Sequence, residues 1–173
     1  MTGKKIVLEY TGGMETSVIS KWLEIERGYE VIAAYYNYGQ QADLAELKKK
    51  ALLSGAKKFH VIDLGQRDVQ SICLDSVQRE LTQMAIREEA DCVAFTQTRS
   101  GVATEAIIAE IAPTLQVVEP FETCWIQTRE DQVAFLKKHH VPVGIAQKDQ
   151  VLRNDFSAFC DWHKRRDVYG KTY

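Results

Sequence analysis

The chain has 173 residues, a length that fits one domain with a sizeable core. Its composition, 45% hydrophobic and 27% charged, is that of an ordinary water-soluble globular protein and excludes collagen-like and linker-like classes. A net charge of -2, from 22 basic and 24 acidic residues, excludes a bulk electrostatic drive toward nucleic acid or anionic membrane.

The first strand is expected over residues 6–10, Ile6-Val7-Leu8-Glu9-Tyr10, and ends in the turn Thr11-Gly12-Gly13. Helical spacing follows over residues 16–27, with Val18, Ile19, Trp22, Leu23 and Ile25 as the apolar set, and Gly28 stops it. A second strand covers 30–37 and breaks at Gly39; a helix over 42–53 stops near Gly55. A third strand over 58–64 leads into a long helical pattern over 66–89, with room for one break. The fourth strand covers 92–96, a helix covers 101–112, and a fifth strand over 115–118 is closed by Pro120. Thr128 has the character of an N-cap, with Glu130 and Asp131 in the first turn of a helix that runs to about His139.

Strands alternating with helices over short connections predict a parallel sheet covered by helices on both faces. Ligands of such sheets bind at the carboxyl ends of the strands, beside the point where strand order reverses. The last segment differs: residues 151–167 carry Val151, Leu152, Phe156, Phe159, Cys160 and His163 on one helical face, with no strand to follow. Two domains are therefore expected, an α/β domain over 1–145 and a C-terminal helical extension over 146–173. That helix either packs on its own domain or is offered to a second copy as a homodimer contact. Lys164-Arg165-Arg166 reads as a solvated helix end.

The four cysteines, Cys73, Cys92, Cys124 and Cys160, form no C-x-x-C pair and read as reduced thiols. The N-terminal strand is too short for a signal-peptide core and no run reaches membrane-span length, so a cytoplasmic protein is expected. His60 falls in a strand and His163 in the terminal helix; no histidine pair has metal spacing. His139-His140 fits a surface helix end where imidazolium complements the dipole. Trp125 and Trp162 read as packing residues, and Cys92 as core. Cys124 is the best-placed cysteine for sulfur chemistry.

The turn after the first strand is the main chemical signal. Gly12 and Gly13 allow a tight turn and close approach of an anion to backbone N–H groups, while the helix that follows offers unpaired donors and a positive dipole end. Thr11, Thr16 and Ser17 add hydroxyls. The set suits a pyrophosphate or triphosphate tail, and it matches neither G-x-G-x-x-G nor G-x-x-x-x-G-K-[ST].

These residues resemble a known family. Val7-Leu8-Glu9-Tyr10-Thr11-Gly12-Gly13-Met14-Glu15-Thr16-Ser17 is similar to the PP-motif of argininosuccinate synthase, V-L-A-Y-S-G-G-L-D-T-S. Further matches follow in order: Trp22-Leu23, Gly28-Tyr29-Glu30-Val31-Ile32-Ala33, Asn37-Tyr38-Gly39-Gln40, Lys50-Ala51-Leu52 with Gly55-Ala56-Lys57-Lys58, Ala112-Pro113 with Val117-Val118-Glu119-Pro120, and Arg129-Glu130-Asp131 with Lys138-His139-His140-Val141-Pro142-Val143. The resemblance spans residues 5–143. It implies the adenine nucleotide alpha-hydrolase-like fold, a doubly wound, Rossmann-like five-stranded parallel sheet, and ATP chemistry at the alpha-phosphorus with release of pyrophosphate. It places Tyr10, Thr11, Gly12, Gly13, Met14, Glu15, Thr16, Ser17, Tyr36, Gly39, Gln40, Thr98, Arg99 and Gly101 around ATP, with Glu15 holding Mg²⁺ directly or through water. It assigns no catalytic residue.

The sequence also departs from that pattern. Glu15 stands where the family has Asp, Glu9 where it has Ala, and Tyr36 where it has a small residue beside adenine; Tyr36 either stacks on the base or blocks it. The citrulline segment has no counterpart between Leu74 and Met84. Of the second substrate loop, shortened to residues 95–105, only Thr98 and Gly101 hold the pattern, with Arg99 offering charge. The family's large C-terminal substrate and assembly domain has no match, so a truncated and divergent relative is expected. Three functions fit: an AMP-forming ligase acting on an unknown small acceptor, a non-catalytic nucleotide-binding protein working through self-association or a partner, and, with weaker support, an RNA thiolation enzyme.

Overall fold

The computed structural model describes residues 3–37, 39, 42–65, 74–95 and 102–144. Five strands form one parallel sheet: β1 (Lys5–Glu9), β2 (Glu30–Asn37), β3 (Ala56–Asp63), β4 (Cys92–Ala94) and β5 (Gln116–Val118). Among the described residues, six helices connect or follow them: α1 (Met14–Ile25), α2 (Leu44–Leu53), α3 (Leu74–Arg87), α4 (Val102–Ile111), α5 (Pro120–Thr123) and α6 (Arg129–Lys138). The strand order is β3-β2-β1-β4-β5. The chain winds outward from β1 to β3, then returns to pair β4 on the other side of β1. The order reverses between β1 and β4, which makes the carboxyl end of β1 the expected ligand position.

The inner strands β1, β2 and β4 are apolar almost without interruption because both their faces are covered, whereas the edge strands β3 and β5 are partly exposed. On one face Ile6, Leu8, Tyr10, Val31, Ala33, Cys92 and Ala94 pack with Val18, Ile19, Trp22 and Leu23 of α1 and Phe135 and Leu136 of α6. On the other, Val7, Ile32, Ala34, Tyr36 and Val93 pack with Val77, Leu81, Met84 and Ala85 of α3 and Ile108 of α4. The spacing of Val77, Leu81, Met84 and Ala85 is one helical stripe, and it accounts for α3 lying along the sheet. At the β3 edge Tyr35 and Phe59 stack 6.3 Å apart over Leu47 of α2.

Helix starts follow local chemistry. Asp43 caps α2 by accepting from the Ala45 and Glu46 N–H groups, and Thr128 caps α6 by accepting from Asp131. Three expectations change. The helix expected over 66–89 is observed as α3 from Leu74; residues 66–73 lie outside the described set. The fourth strand ends at Ala94. Pro120, expected to close the fifth strand, instead opens α5 at a first-turn position, where its missing N–H costs no helical bond. The terminal helix, the domain over 146–173, Cys73, Cys160, Trp162 and His163 lie outside the described residues.

Candidate functional site

The turn at the end of β1 has one backbone feature that only glycine adopts without strain: Gly12 has φ +80°. Gly13 then returns to extended backbone, φ -69° and ψ 173°, as the N-cap of α1. It brings no capping side chain, so the first-turn N–H groups of Met14, Glu15 and Thr16 face the carboxyl edge of the sheet uncapped by a side chain. The loop's own hydroxyls shape it. The Gly13 N–H donates to Thr11 Oγ1 at 3.2 Å, and Thr11 Oγ1 lies 3.2 Å from Thr16 Oγ1. Thr16 Oγ1 and Ser17 Oγ both donate to the Gly13 carbonyl, at 3.3 and 2.8 Å.

Tyr10, fully buried, supports this arrangement from below, its hydroxyl 3.1 Å from Ser17 Oγ. Burial pushes the Tyr10 phenol above its ordinary pKa, against the opposing pull of bonds with Ser17 and Ser54, so it stays a neutral hydroxyl. Ser17 and Thr16 are buried too, whereas Thr11, Gly13 and Met14 are half-buried and Glu15 is exposed. The set expected around a polyphosphate thus divides into a rim, Thr11 and Gly13 to Glu15, and a base, Tyr10, Thr16 and Ser17. Lys50 of α2, with 4% of its surface exposed, reaches this base, and its Nζ donates to the Gly12 carbonyl at 2.8 Å.

Lys50 was not among the expected site residues. It follows Lys48 and Lys49, both exposed, and looks like the third member of a solvated run. The helical phase carries the signal: Leu47, Lys50 and Ala51, at i, i+3 and i+4, are the buried residues of α2.

At the neighbouring strand ends, Asn37 closes β2. Its carbonyl accepts from Leu64 at 2.7 Å and its side chain accepts from the Gly39 N–H at 3.2 Å. Gly39 has φ +86°. Tyr36 is buried in the cluster beneath α3, and its hydroxyl donates to the Val77 carbonyl at 3.1 Å. Glu9 is also buried, on the strand position that alternation assigns to the α3 face. Gln40, Thr98, Arg99 and Gly101 lie outside the described residues.

Several expectations away from the loop change. Cys124 is buried, and burial pushes its thiol above the ordinary value, which leaves it protonated and a poor nucleophile. Cys92 is core, as expected, with its thiol raised by burial as well. Trp125, expected as a packing residue, packs edge-to-face on Phe135 with ring centres 6.4 Å apart while 61% of its surface stays exposed; its indole N–H donates to the Glu26 carboxylate at 3.2 Å. His139 is half-buried against Phe135, ring centres 4.6 Å apart. Burial first, then the charges of Lys138, Lys21 and His140, lower its pKa, so it stands at the α6 C-terminus as neutral imidazole rather than imidazolium. Among the described residues no three His, Cys, Asp or Glu side chains converge as a metal site, and no helix is long and apolar enough to cross a membrane.

Comparison with known proteins agrees with this geometry. Residues 5–84 match the family model described as the arginosuccinate synthase N-terminal HUP domain. Argininosuccinate synthase of Alkaliphilus metalliredigens is 34% identical over 176 aligned residues, 88% of this chain and 42% of that protein. The enzyme of Geobacillus sp. is 34% identical over 169 residues, 84% of this chain and 42% of its own length. The chain spans about two fifths of the length of these curated relatives. A solved structure described as a predicted subunit of a tRNA methyltransferase from Methanocaldococcus jannaschii shares the fold, with a TM-score of 0.53 at 14% identity over 77% of this chain and 75% of that one.

Proposed function

Because the chain is a divergent relative of the N-terminal HUP domain of argininosuccinate synthase, we propose that it binds ATP, with the loop from Thr11 to Ser17 around the phosphates. The observation that carries this reading is the conjunction at Gly12 and Gly13. A left-handed residue is followed by a helix start without a capping side chain, at the reversal point of the sheet. The cradle is shaped for backbone approach: a Cβ at Gly13 would meet Thr11 Oγ1 at 3.3 Å and crowd the loop. N–H groups of the first turn of α1 and the Thr11 hydroxyl would hold phosphate oxygens; Thr16 and Ser17 would keep the loop in shape. Gly39, Gln40, Thr98, Arg99 and Gly101 would complete the nucleotide's surroundings.

Among the described residues of the loop, Mg²⁺ would meet one carboxylate. Glu15 is the exposed carboxylate on the rim, and a hard cation bound by one carboxylate would keep water and phosphate oxygens as its other ligands. The reaction we propose is that of an AMP-forming ligase. A small acceptor attacks the alpha-phosphorus, the bond to the pyrophosphate oxygen breaks and pyrophosphate leaves; a nitrogen nucleophile then attacks the adenylated acceptor, and AMP leaves as the new carbon–nitrogen bond forms. The protein's part is positioning and charge stabilisation. Within this proposal residues 1–145 are the nucleotide-binding domain, and residues 146–173 are a helical extension that pairs two copies.

A second reading is non-catalytic. Glu15 in place of the family's Asp carries its charge one methylene further out, and catalysis tolerates such displacement poorly. Buried, protonated Cys92 and Cys124 give RNA thiolation no support among the described residues. Calorimetric titration with ATP, AMP and pyrophosphate in the presence of Mg²⁺, followed by a pyrophosphate-release screen over acceptors, tests both. No binding of any of the three ligands overturns the ATP reading; binding without release over a broad screen favours the non-catalytic one.

A further inference from the structure

A peptide unit is planar and trans, so its C=O and N–H point in opposite directions. In the unit that joins Gly12 to Gly13, the carbonyl is drawn inward by the buried Lys50 ammonium at 2.8 Å. The N–H of the same unit must then face away from α2, and it is found on Thr11 Oγ1 at the rim. A flipped unit would present a carbonyl oxygen there, which repels phosphate. Gly12, at φ +80°, has no side chain to oppose such a flip, because glycine crosses between backbone regions more readily than any other residue. The restraint comes from both ends of the unit: Thr11 Oγ1 holds the N–H from within the loop, and Lys50 holds the carbonyl from an element 38 residues away.

We infer that Lys50 is a positioning residue for anion binding: it fixes the Gly12–Gly13 peptide with its N–H outward and holds a buried positive charge beneath the loop. The inference rests on the reading of that loop as a phosphate site, which it deepens. It also accounts for a lysine placed at a core position of α2. Burying an ammonium costs free energy unless it is bonded, and at this position it donates to the loop's own carbonyl.

The test compares the wild-type chain with Lys50→Met, which keeps the length and apolar stem and removes both donor and charge. Two quantities are read: the Gly13 amide resonance without ligand, and the affinity for Mg²⁺-pyrophosphate by calorimetry. The expected result is a displaced Gly13 amide with the spectrum unchanged outside residues 11–17 and the neighbourhood of residue 50, and pyrophosphate binding weakened by about tenfold or more, as loss of a nearby charge in a poorly solvated site implies. An unmoved Gly13 amide, or unchanged pyrophosphate affinity, overturns the inference while wild-type binding leaves the ATP reading standing. If the wild-type chain binds no pyrophosphate, the anion-binding role of Lys50 falls, whereas the ATP reading falls only if ATP and AMP fail to bind as well. Should Lys50→Met fail to fold, the wild-type Lys50 ammonium is followed by nitrogen-15 lysine spectra. A shift on adding pyrophosphate is expected, and its absence at saturating ligand overturns the inference.

Discussion

The hydroxyls of Tyr10 and Ser17, seven residues apart in the chain, lie 3.1 Å apart beneath the loop. Ser17 passes the contact on, donating to the Gly13 carbonyl at 2.8 Å. A residue of the central sheet thereby holds the start of α1.

Tyr10→Phe removes one end of this chain and leaves Ser17 its other partner. Denaturant unfolding should show a loss of about 1 kcal/mol, the usual net worth of one buried hydrogen bond. Ser17→Ala removes both contacts and should cost more. The double variant should fall short of the sum by roughly 0.5 kcal/mol or more, because the two groups touch; strict additivity would show that the contact carries no energy.

Gly12→Ala puts a side chain on a residue with φ +80°. Left-handed backbone costs an L-residue roughly 1–2 kcal/mol, so thermal unfolding should show a clear drop. Gly13→Ala is milder for the backbone, since its φ is ordinary, but its Cβ would press on Thr11 Oγ1. We expect Gly13→Ala to weaken pyrophosphate binding more than it lowers stability, and Gly12→Ala to lower both. Equal behaviour of the two in both assays would contradict this division.

Glu26 joins two tryptophans: it accepts from buried Trp22 at 2.9 Å and from exposed Trp125 at 3.2 Å. Glu26→Ala would leave the Trp22 N–H without this acceptor, at a cost of about 1–3 kcal/mol. It would also free Trp125, whose fluorescence should become more accessible to a soluble quencher. Quenching unchanged from wild type would show that Glu26 does not hold Trp125.

His139 has its pKa lowered below 6.5 in the folded chain. The unfolded chain therefore takes up a proton before the folded one as pH falls, and stability must decline on the acid side of 6.5 until the folded group also titrates. His139→Gln should flatten that decline, with little change above neutrality. An imidazole titration by NMR with a midpoint at or above 6.5 would rule out the buried neutral state.

The inner strands were legible because both their faces are buried and they read as short apolar runs; β1, β2 and β3 are each also followed by a glycine within three residues. The β1–loop–α1 unit was legible for a local reason too: a left-handed turn before a helix leaves glycine in the sequence. What could not be read depended on tertiary contacts or on local patterns with two meanings. Trp125 is apolar enough to suggest the core, yet it sits outside on a carboxylate 99 residues away. His139 resembles a charged helix end until Phe135 covers it. Pro120 looked like a strand stop, and the same missing N–H serves equally well to start a helix. Lys50 was visible only in phase with Leu47 and Ala51, a pattern overridden by the two exposed lysines before it.

The strand that bears the loop is hydrogen-bonded on both sides, to β2 and to β4. Its amides can reach solvent only when the whole sheet comes apart, whereas those of β5 are released by local fraying. Hydrogen exchange should therefore be slowest at Val7 and Leu8, a few residues from the turn proposed to bind phosphate. A loop rooted there is already ordered before any ligand arrives, and little of the binding free energy is lost to ordering it.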